Sequence, residues 1–170
     1  LVEPVDRGVR AEHARRALPR ELDEKYSLDA LISKAERPVV FIGHYEHHSN
    51  ELPWRESIAD LVTIPEDSDG HIDVALLARE LERFADRPLK IGSFSAASNV
   101  TGILTDTAAI TRVLHDHGAL AFWDYAAAAP YVDVDASEAD AVFLSPHKFI
   151  GGPGTPGVLV VNRALLTNTV

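Results

Sequence analysis

Cysteine and methionine are both missing from this sequence of 170 residues. Without cysteine the chain can form neither a disulfide scaffold nor a thiolate metal site, and it has no cysteine nucleophile. Because natural gene products normally begin with methionine and this chain begins with Leu1, we expect it to be part of a longer protein. Part of the functional site is then expected to lie outside these residues.

Positive charge is also scarce, since the formal net charge is −10. Residues 1–37 hold eight basic and eight acidic groups, so the whole acidic excess follows Arg37. Such a surface repels phosphate backbones and anionic lipids, which argues against a nucleic-acid partner and against a membrane partner. No apolar run approaches the roughly 18 residues of a membrane span, and no signal peptide opens the chain. We expect a soluble, cytoplasmic protein.

From Pro38 onward, short and almost continuously apolar runs alternate with longer amphipathic segments. Continuous apolar runs are typical of strands that are buried on both faces of a parallel sheet. Alternation with helices indicates an α/β fold, here a three-layer α/β/α arrangement around a mostly parallel sheet. We expect residues 1–37 to form a charged helical segment and residues 38–170 to form the core of the domain. The predicted strands are 39–42, 61–64, 89–94, 119–123, 141–144 and 157–161.

Two of the segments between the strands have helical periodicity. In the first, apolar residues recur three or four positions apart from Val74 to Phe84, and Asp73 is placed to cap the N-terminus. In the second, from Asp106 to His117, the same spacing ends at Gly118, the residue type that favours a helix C-terminus. Both segments are therefore predicted helices.

An acid and a lysine follow two neighbouring predicted strands, which are the positions where parallel α/β sheets bind ligands. Asp124 comes directly after the strand that ends at Trp123, and Lys148 follows the strand that ends at Leu144. Taken alone, Asp124 would be a helix N-cap and Lys148 a solvated loop cation. A lysine near apolar groups can instead act as an amine nucleophile toward an aldehyde. Together the two residues are the pair that pyridoxal 5′-phosphate needs: an amine for its aldehyde and a carboxylate for its pyridine nitrogen.

Histidines cluster after the first predicted strand, at His44, His47 and His48, with Glu46 among them. A metal site is one interpretation, but the spacing differs from the helical metalloprotease motif, in which two histidines stand four residues apart with the glutamate directly after the first. We therefore predict that one histidine packs against a flat ligand and that its neighbours are structural.

At this point the sequence resembles the class V aminotransferase family, which includes cysteine desulfurases and selenocysteine lyases. The resemblance covers about Pro38 to Val161, and its motifs occur in the family's order at predicted strand ends. Each motif alone is weak evidence, whereas all four in order are specific. The motifs are Glu46-His47-His48-Ser49-Asn50 with Pro53-Trp54, Ser98-Asn99 with Gly102, Asp124 with Ala126, and Ser145-Pro146-His147-Lys148 before a glycine-rich loop.

The resemblance implies the large domain of a pyridoxal-phosphate-dependent transferase of fold type I, here incomplete, which acts on an amino-acid substrate as a homodimer with its sites at the subunit interface. Lys148 would form the Schiff base with the cofactor and then shuttle the proton at the substrate's alpha carbon. His47 would stack on the cofactor ring, and Asp124 would pair with the pyridine nitrogen. The predicted catalytic residues are therefore Lys148 and His47.

Three further residues receive cofactor-binding roles from the same resemblance. Asn99 would lie near the cofactor's phenolic oxygen and the substrate carboxylate, while Ser145 and His147 would bind the cofactor phosphate. The family's phosphate loop is expected before this chain begins, and its small C-terminal domain after Val170. The chain alone is therefore expected to be inactive.

One position departs from the family pattern. Cysteine desulfurases usually carry glutamine three residues after the pyridine-binding aspartate, where this chain has Ala127. An alanine side chain has no hydrogen-bonding group for the phenolic oxygen. Ala127 favours one alternative to the enzyme hypothesis, a non-catalytic fold type I scaffold or binding module. The histidines leave a second alternative open, a metal-dependent hydrolase that uses His44, His47 and His48.

Overall fold

A single six-stranded sheet organises the computed structural model, which describes residues 31–167. The strand order is β2-β1-β3-β4-β5-β6; β1 to β5 run parallel, and β6 is antiparallel to β5. This confirms the predicted mostly parallel α/β sheet, each strand within one residue of its predicted bounds. The strands are β1 Val39–Gly43, β2 Asp60–Ile64, β3 Lys90–Ser95, β4 Leu120–Asp124, β5 Ala141–Leu144 and β6 Val158–Val161.

Three α-helices and three 3₁₀ turns complete the described part of the chain. Most of the charged segment predicted to be helical, residues 1–37, lies outside the described residues, so that assignment stays a prediction. Within its last seven residues the structure contains one 3₁₀ turn. The helices are α1 His48–Arg55, α2 Val74–Arg83 and α3 Thr107–Asp116, and the 3₁₀ turns are Lys34–Glu36, Pro146–Lys148 and Arg163–Leu165.

Side-chain caps fix the beginnings of the two predicted helices. The carboxylate of Asp73 accepts from the backbone N–H of Leu76 at 2.9 Å, and that of Asp106 accepts from Ala109 N–H at 2.9 Å. Each cap satisfies one of the N–H groups that the first helical turn leaves without a partner. After α3 the chain turns at Gly118, whose φ of 65° favours glycine.

Apolar side chains pack on both faces of the sheet, which gives the predicted three layers. On one face, α2 and α3 bury leucines and isoleucines such as Leu77 and Ile110 against the sheet. On the other face, Trp54 of α1 packs against the smaller cluster formed by Val40, Ile42 and Ile91. Among residues 31–167 no helix is long and apolar enough to cross a membrane.

Thr111→Val is expected to destabilise the fold by about 1–3 kcal/mol, the usual cost of a buried donor without an acceptor. The indole N–H of Trp123 donates to Thr111 Oγ1 at 2.9 Å, and both residues are buried. Valine keeps the shape of threonine and removes that acceptor. Urea denaturation measures the difference, with Thr63→Val on the exposed side of β2 as the matched control. Equal losses in both variants would contradict the prediction.

Candidate functional site

A pocket of about 400 Å³ lies at the carboxyl ends of the central parallel strands. All six residues predicted for the site line it, although they come from four separate segments of the chain. The structure therefore brings the predicted residues together, and their roles toward a ligand remain predictions. The lining residues are His47, Ser49, Ser95, Ala97, Asn99, Asp124, Ala126, Ala127, Ser145, His147 and Lys148.

The Asp124 carboxylate stands at the end of β4, beside Ser95 of β3 in the sheet register. It is half-buried, and its Oδ1 accepts from the backbone N–H of Ala126 at 2.8 Å. Within the described chain no cationic side chain forms a salt bridge with Asp124. A carboxylate that is partly removed from water is costly without an opposite charge beside it. The pocket therefore offers a place for a cationic ligand group next to Asp124.

Lys148 lies at the end of the 3₁₀ turn that follows β5, the strand next to β4. Its backbone N–H donates to Ser145 O at 2.9 Å, which fixes the turn that carries Ser145, His147 and Lys148 to the pocket. The prediction that this lysine lies near apolar interior groups is wrong. Lys148 is exposed, because β5 ends at Leu144 and the turn carries the lysine out to the pocket rim.

The glycine-rich loop after Lys148 packs closely against this turn. Gly152 is buried and donates its N–H to Phe149 O at 3.0 Å. A Cβ atom at Gly152 would lie 2.0 Å from the backbone oxygen of Pro146, far inside van der Waals contact. The absence of a side chain at Gly152 therefore sets the position of the lysine turn.

Gly152→Ala is accordingly expected to displace the Lys148 turn and to lower the free energy of unfolding by about 1–3 kcal/mol, as overpacking does. A Cβ atom at Gly157 would meet only Leu144 O, at an ordinary 3.7 Å, so Gly157→Ala is the matched control. Thermal denaturation of both variants checks the prediction. If Gly152→Ala melts together with Gly157→Ala, the loop does not constrain the turn as described.

His47 forms the N-cap of α1 at the pocket wall. Its Nδ1 accepts from Ser49 N–H at 3.2 Å and lies 2.8 Å from Ser49 Oγ. Because Nδ1 is an acceptor, the neutral ring carries its proton on Nε2. The ring is thereby held in one tautomer, and His47 is an exposed residue that lines the pocket.

The metal interpretation of the histidine cluster finds no support in the geometry. His44 Nε2 lies 3.0 Å from Glu66 Oε2, while His47 is bonded to Ser49. No group of three or more potential ligands capable of holding a metal ion occurs in residues 31–167.

Sequence reasoning gave no role to a polar network behind the pocket wall. The carboxylate of Glu46 accepts from Gly43 N–H, Ser95 N–H, Ser95 Oγ–H and Asn50 Nδ2–H at 2.7–3.2 Å. Burial raises the pKa of Glu46, and the hydrogen bonds from Ser95, Asn50 and Gly43 oppose that rise. Two signals in the sequence pointed to this network: Ser95 directly follows the predicted strand 89–94, and Glu46 and Asn50 belong to one motif.

A carboxylate and an amine lie at the ends of adjacent parallel strands, around a pocket lined by small and polar residues. This arrangement is that of an α/β protein with a ligand site at the strand ends. Residues 27–169 match the model of the aminotransferase class-V family. The chain belongs to this family, as its motifs indicated.

Two relatives of similar sequence are named as probable cysteine desulfurases. The chain is 32% identical over 133 residues to a probable cysteine desulfurase of Halalkalibacterium halodurans, covering 75% of this chain and 32% of that protein. A probable cysteine desulfurase of Staphylococcus epidermidis is 34% identical over 146 residues, covering 82% of this chain and 34% of that protein. The chain thus spans about a third of the length of the curated relatives it matches.

Solved structures show the same fold. The cysteine desulfurase CsdA from Escherichia coli superposes with a TM-score of 0.69 at 22% identity, over 94% of this chain and 44% of that one. The apo cysteine desulfurase from Thermococcus onnurineus gives a TM-score of 0.64 at 24% identity, over 81% of this chain and 34% of that one.

Proposed function

We propose that this chain is the cofactor-binding core of a pyridoxal 5′-phosphate-dependent enzyme that acts on an amino acid. One observation carries the proposal: the half-buried Asp124 carboxylate and the Lys148 amine line one pocket from the ends of adjacent strands. Membership of the class V aminotransferase family and the likeness to cysteine desulfurases support it.

The residues present fit this cofactor by their chemistry. Asp124 has no cationic partner among residues 31–167, and a protonated pyridine nitrogen would supply one. The Lys148 amine is the group that bonds to an aldehyde. A volume of about 400 Å³ lies within the range of small-molecule pockets.

Each of the six predicted residues would then have its own task. When bound, the cofactor supplies an electron-withdrawing ring that stabilises negative charge at the substrate's alpha carbon. Asp124 would keep a proton on the pyridine nitrogen, and the imidazole of His47 would lie against the ring. Lys148 would hold the cofactor by its aldehyde and move the proton at the alpha carbon.

Polar groups on the turn of Lys148 and on the loop after β3 would hold the ends of the cofactor. The Ser145 hydroxyl and the His147 ring, on the same turn as Lys148, would donate to the phosphate. The Asn99 amide, on the loop after β3, would donate to the phenolic oxygen and to the substrate carboxylate. These donors suit anionic oxygens, since hydrogen bonds to charged acceptors are stronger than those to neutral ones.

Ala127 bears on the finer reaction class. It lines the pocket, and its methyl group has no donor for the phenolic oxygen. We propose a cysteine desulfurase-like lyase or a class V aminotransferase, in which Asn99 is left as the amide donor at that oxygen. Ala127 also favours the alternative, a non-catalytic fold type I module, whereas the shared pocket of Lys148 and Asp124 favours the enzyme.

The proposal includes assembly as a homodimer. Phe149 and Ile150 follow Lys148 directly, and Ile150 is fully exposed. Large apolar side chains exposed beside a site are typical of surfaces that a protein partner covers. Sedimentation velocity of the full-length gene product that contains these residues is expected to show a dimer, and a monomer at micromolar concentration would contradict this part.

Equilibrium dialysis of that full-length product against pyridoxal 5′-phosphate tests the cofactor itself. We expect about one equivalent bound per chain. Absence of binding at millimolar cofactor would contradict the enzyme proposal and favour the scaffold module.

A further inference from the structure

Glu46 lies between three elements that meet behind the pocket wall. Its Oε1 accepts from Gly43 N–H at the end of β1 and from Ser95 N–H at the end of β3, at 3.2 and 3.0 Å. Its Oε2 accepts from Ser95 Oγ–H and from the Asn50 amide of α1, both at 2.7 Å. One partly buried carboxylate therefore bonds to β1, β3 and α1 at once.

The orientation of the Asn50 amide is fixed by a second partner. Asn50 Nδ2 donates to the backbone oxygen of Ser93 at 3.2 Å, and Asn50 Oδ1 accepts from Ser93 Oγ–H at 2.7 Å. A carbonyl oxygen can only accept, so the NH₂ group must face Ser93 O. Its other hydrogen then points to Glu46, and the amide cannot flip to accept from position 46.

Three donors that cannot become acceptors therefore face the side chain of Glu46: two backbone N–H groups and the Asn50 NH₂ group. A carboxylate has enough lone pairs for all of them and for the Ser95 hydroxyl. A glutamine at position 46 can direct its carbonyl oxygen either to the two backbone N–H groups or to the Asn50 NH₂ group. Its own NH₂ group would then face a donor at the other place. Gly43 makes the contact possible, since a Cβ atom there would lie 2.8 Å from Glu46 Oε1.

Two of the residues that this network holds line the pocket. Ser95 is hydrogen-bonded to Glu46 directly. His47 follows Glu46 in the chain and is the N-cap of α1, and Asn50 of α1 is hydrogen-bonded to the Glu46 carboxylate. We infer that Glu46 is a positioning residue that holds His47 and Ser95 in place against the ligand of the pocket. This inference rests on the proposed function for the identity of that ligand.

Glu46→Gln in the full-length gene product tests the inference, with Glu51→Gln as the matched control. Glu51 lies in the first turn of α1 and forms a salt bridge with Arg55, outside the hydrogen-bond network of Glu46. Two measurements are made: hydrogen exchange of peptides covering residues 43–50 and 93–97 without cofactor, and the affinity for pyridoxal 5′-phosphate.

Glu46→Gln is expected to speed exchange in both peptides at least about tenfold and to weaken cofactor binding about tenfold, the effect of losing one charge-assisted hydrogen bond. Glu51→Gln should match the wild type in both measurements. If Glu46→Gln fails to fold, Ser93→Ala, which removes the hydroxyl donor to Asn50 Oδ1 without touching the pocket lining, should change both measurements in the same direction.

Unchanged exchange in Glu46→Gln would overturn the inference. Faster exchange with unchanged cofactor affinity would also overturn it, because the network would then be structural alone. If the wild type and Glu51→Gln both fail to bind the cofactor, the proposed function fails. The exchange rates near His47 and Ser95 would still decide whether Glu46 orders the pocket wall.

Discussion

Lys148→Ala is expected to abolish covalent retention of pyridoxal 5′-phosphate. It is also expected to reduce turnover of the amino-acid substrate by at least about 10²–10⁴-fold, which is the rate enhancement that a general acid–base group contributes on its own. Among residues 31–167, Lys148 is the one lysine that lines the pocket, and alanine removes both the amine and its proton. The fold should survive, because Lys148 is exposed and its backbone N–H keeps its bond to Ser145 O.

The matched control for Lys148 is Lys34→Ala, which removes an exposed lysine from the first 3₁₀ turn, away from the pocket lining. Retention of the cofactor after gel filtration and steady-state turnover, both in the full-length gene product, are the measurements. A Lys148→Ala protein that still holds the cofactor covalently would show that another amine does this work. Loss in both variants would show only a general effect of removing lysine.

Asp124→Asn is the second change with a large expected effect, a loss of cofactor affinity of about 10- to 100-fold. A hydrogen bond to a charged group contributes about 1.5–3 kcal/mol, and about 1.4 kcal/mol corresponds to tenfold in affinity. Asparagine keeps the shape of the side chain, and its Oδ1 can still accept from Ala126 N–H, so the turn after β4 is retained. What is lost is the negative charge facing the pocket.

Asp86→Asn, at an exposed position outside the pocket lining, makes the same chemical change and should leave the affinity unchanged. Titration of the apoprotein with pyridoxal 5′-phosphate gives both affinities, and thermal denaturation without cofactor shows whether the fold is intact. An Asp124→Asn protein with wild-type affinity would mean that the carboxylate does not meet a cationic group of the cofactor.

The strands could be predicted from the sequence because burial on both faces leaves a local record, an unbroken apolar run such as Val39-Val40-Phe41-Ile42. Helix α1 left no such record. It is short and polar, and it contains Pro53, which cannot donate a helical hydrogen bond. It forms where His47 caps it and where Trp54 packs against the sheet.

The site was predictable to the extent that it depends on strand ends. Asp124 and Lys148 follow apolar runs, and adjacent parallel strands bring their ends to one edge of the sheet. The exposure of Lys148 depends on how far the turn after Leu144 projects, which no local pattern records. The bonds between Glu46 and Ser95 join residues 49 positions apart, so only the folded chain reveals them.

Borohydride reduction of the full-length gene product, loaded with pyridoxal 5′-phosphate, tests the central proposal most directly. Reduction makes the bond between an amine and the cofactor permanent, and mass spectrometry of the peptides then locates it. We expect a phosphopyridoxyl group on Lys148, together with loss of the visible absorbance of the bound cofactor. An adduct on another lysine, or none after loading with excess cofactor, would contradict the proposal that the pocket of Asp124 and Lys148 binds this cofactor.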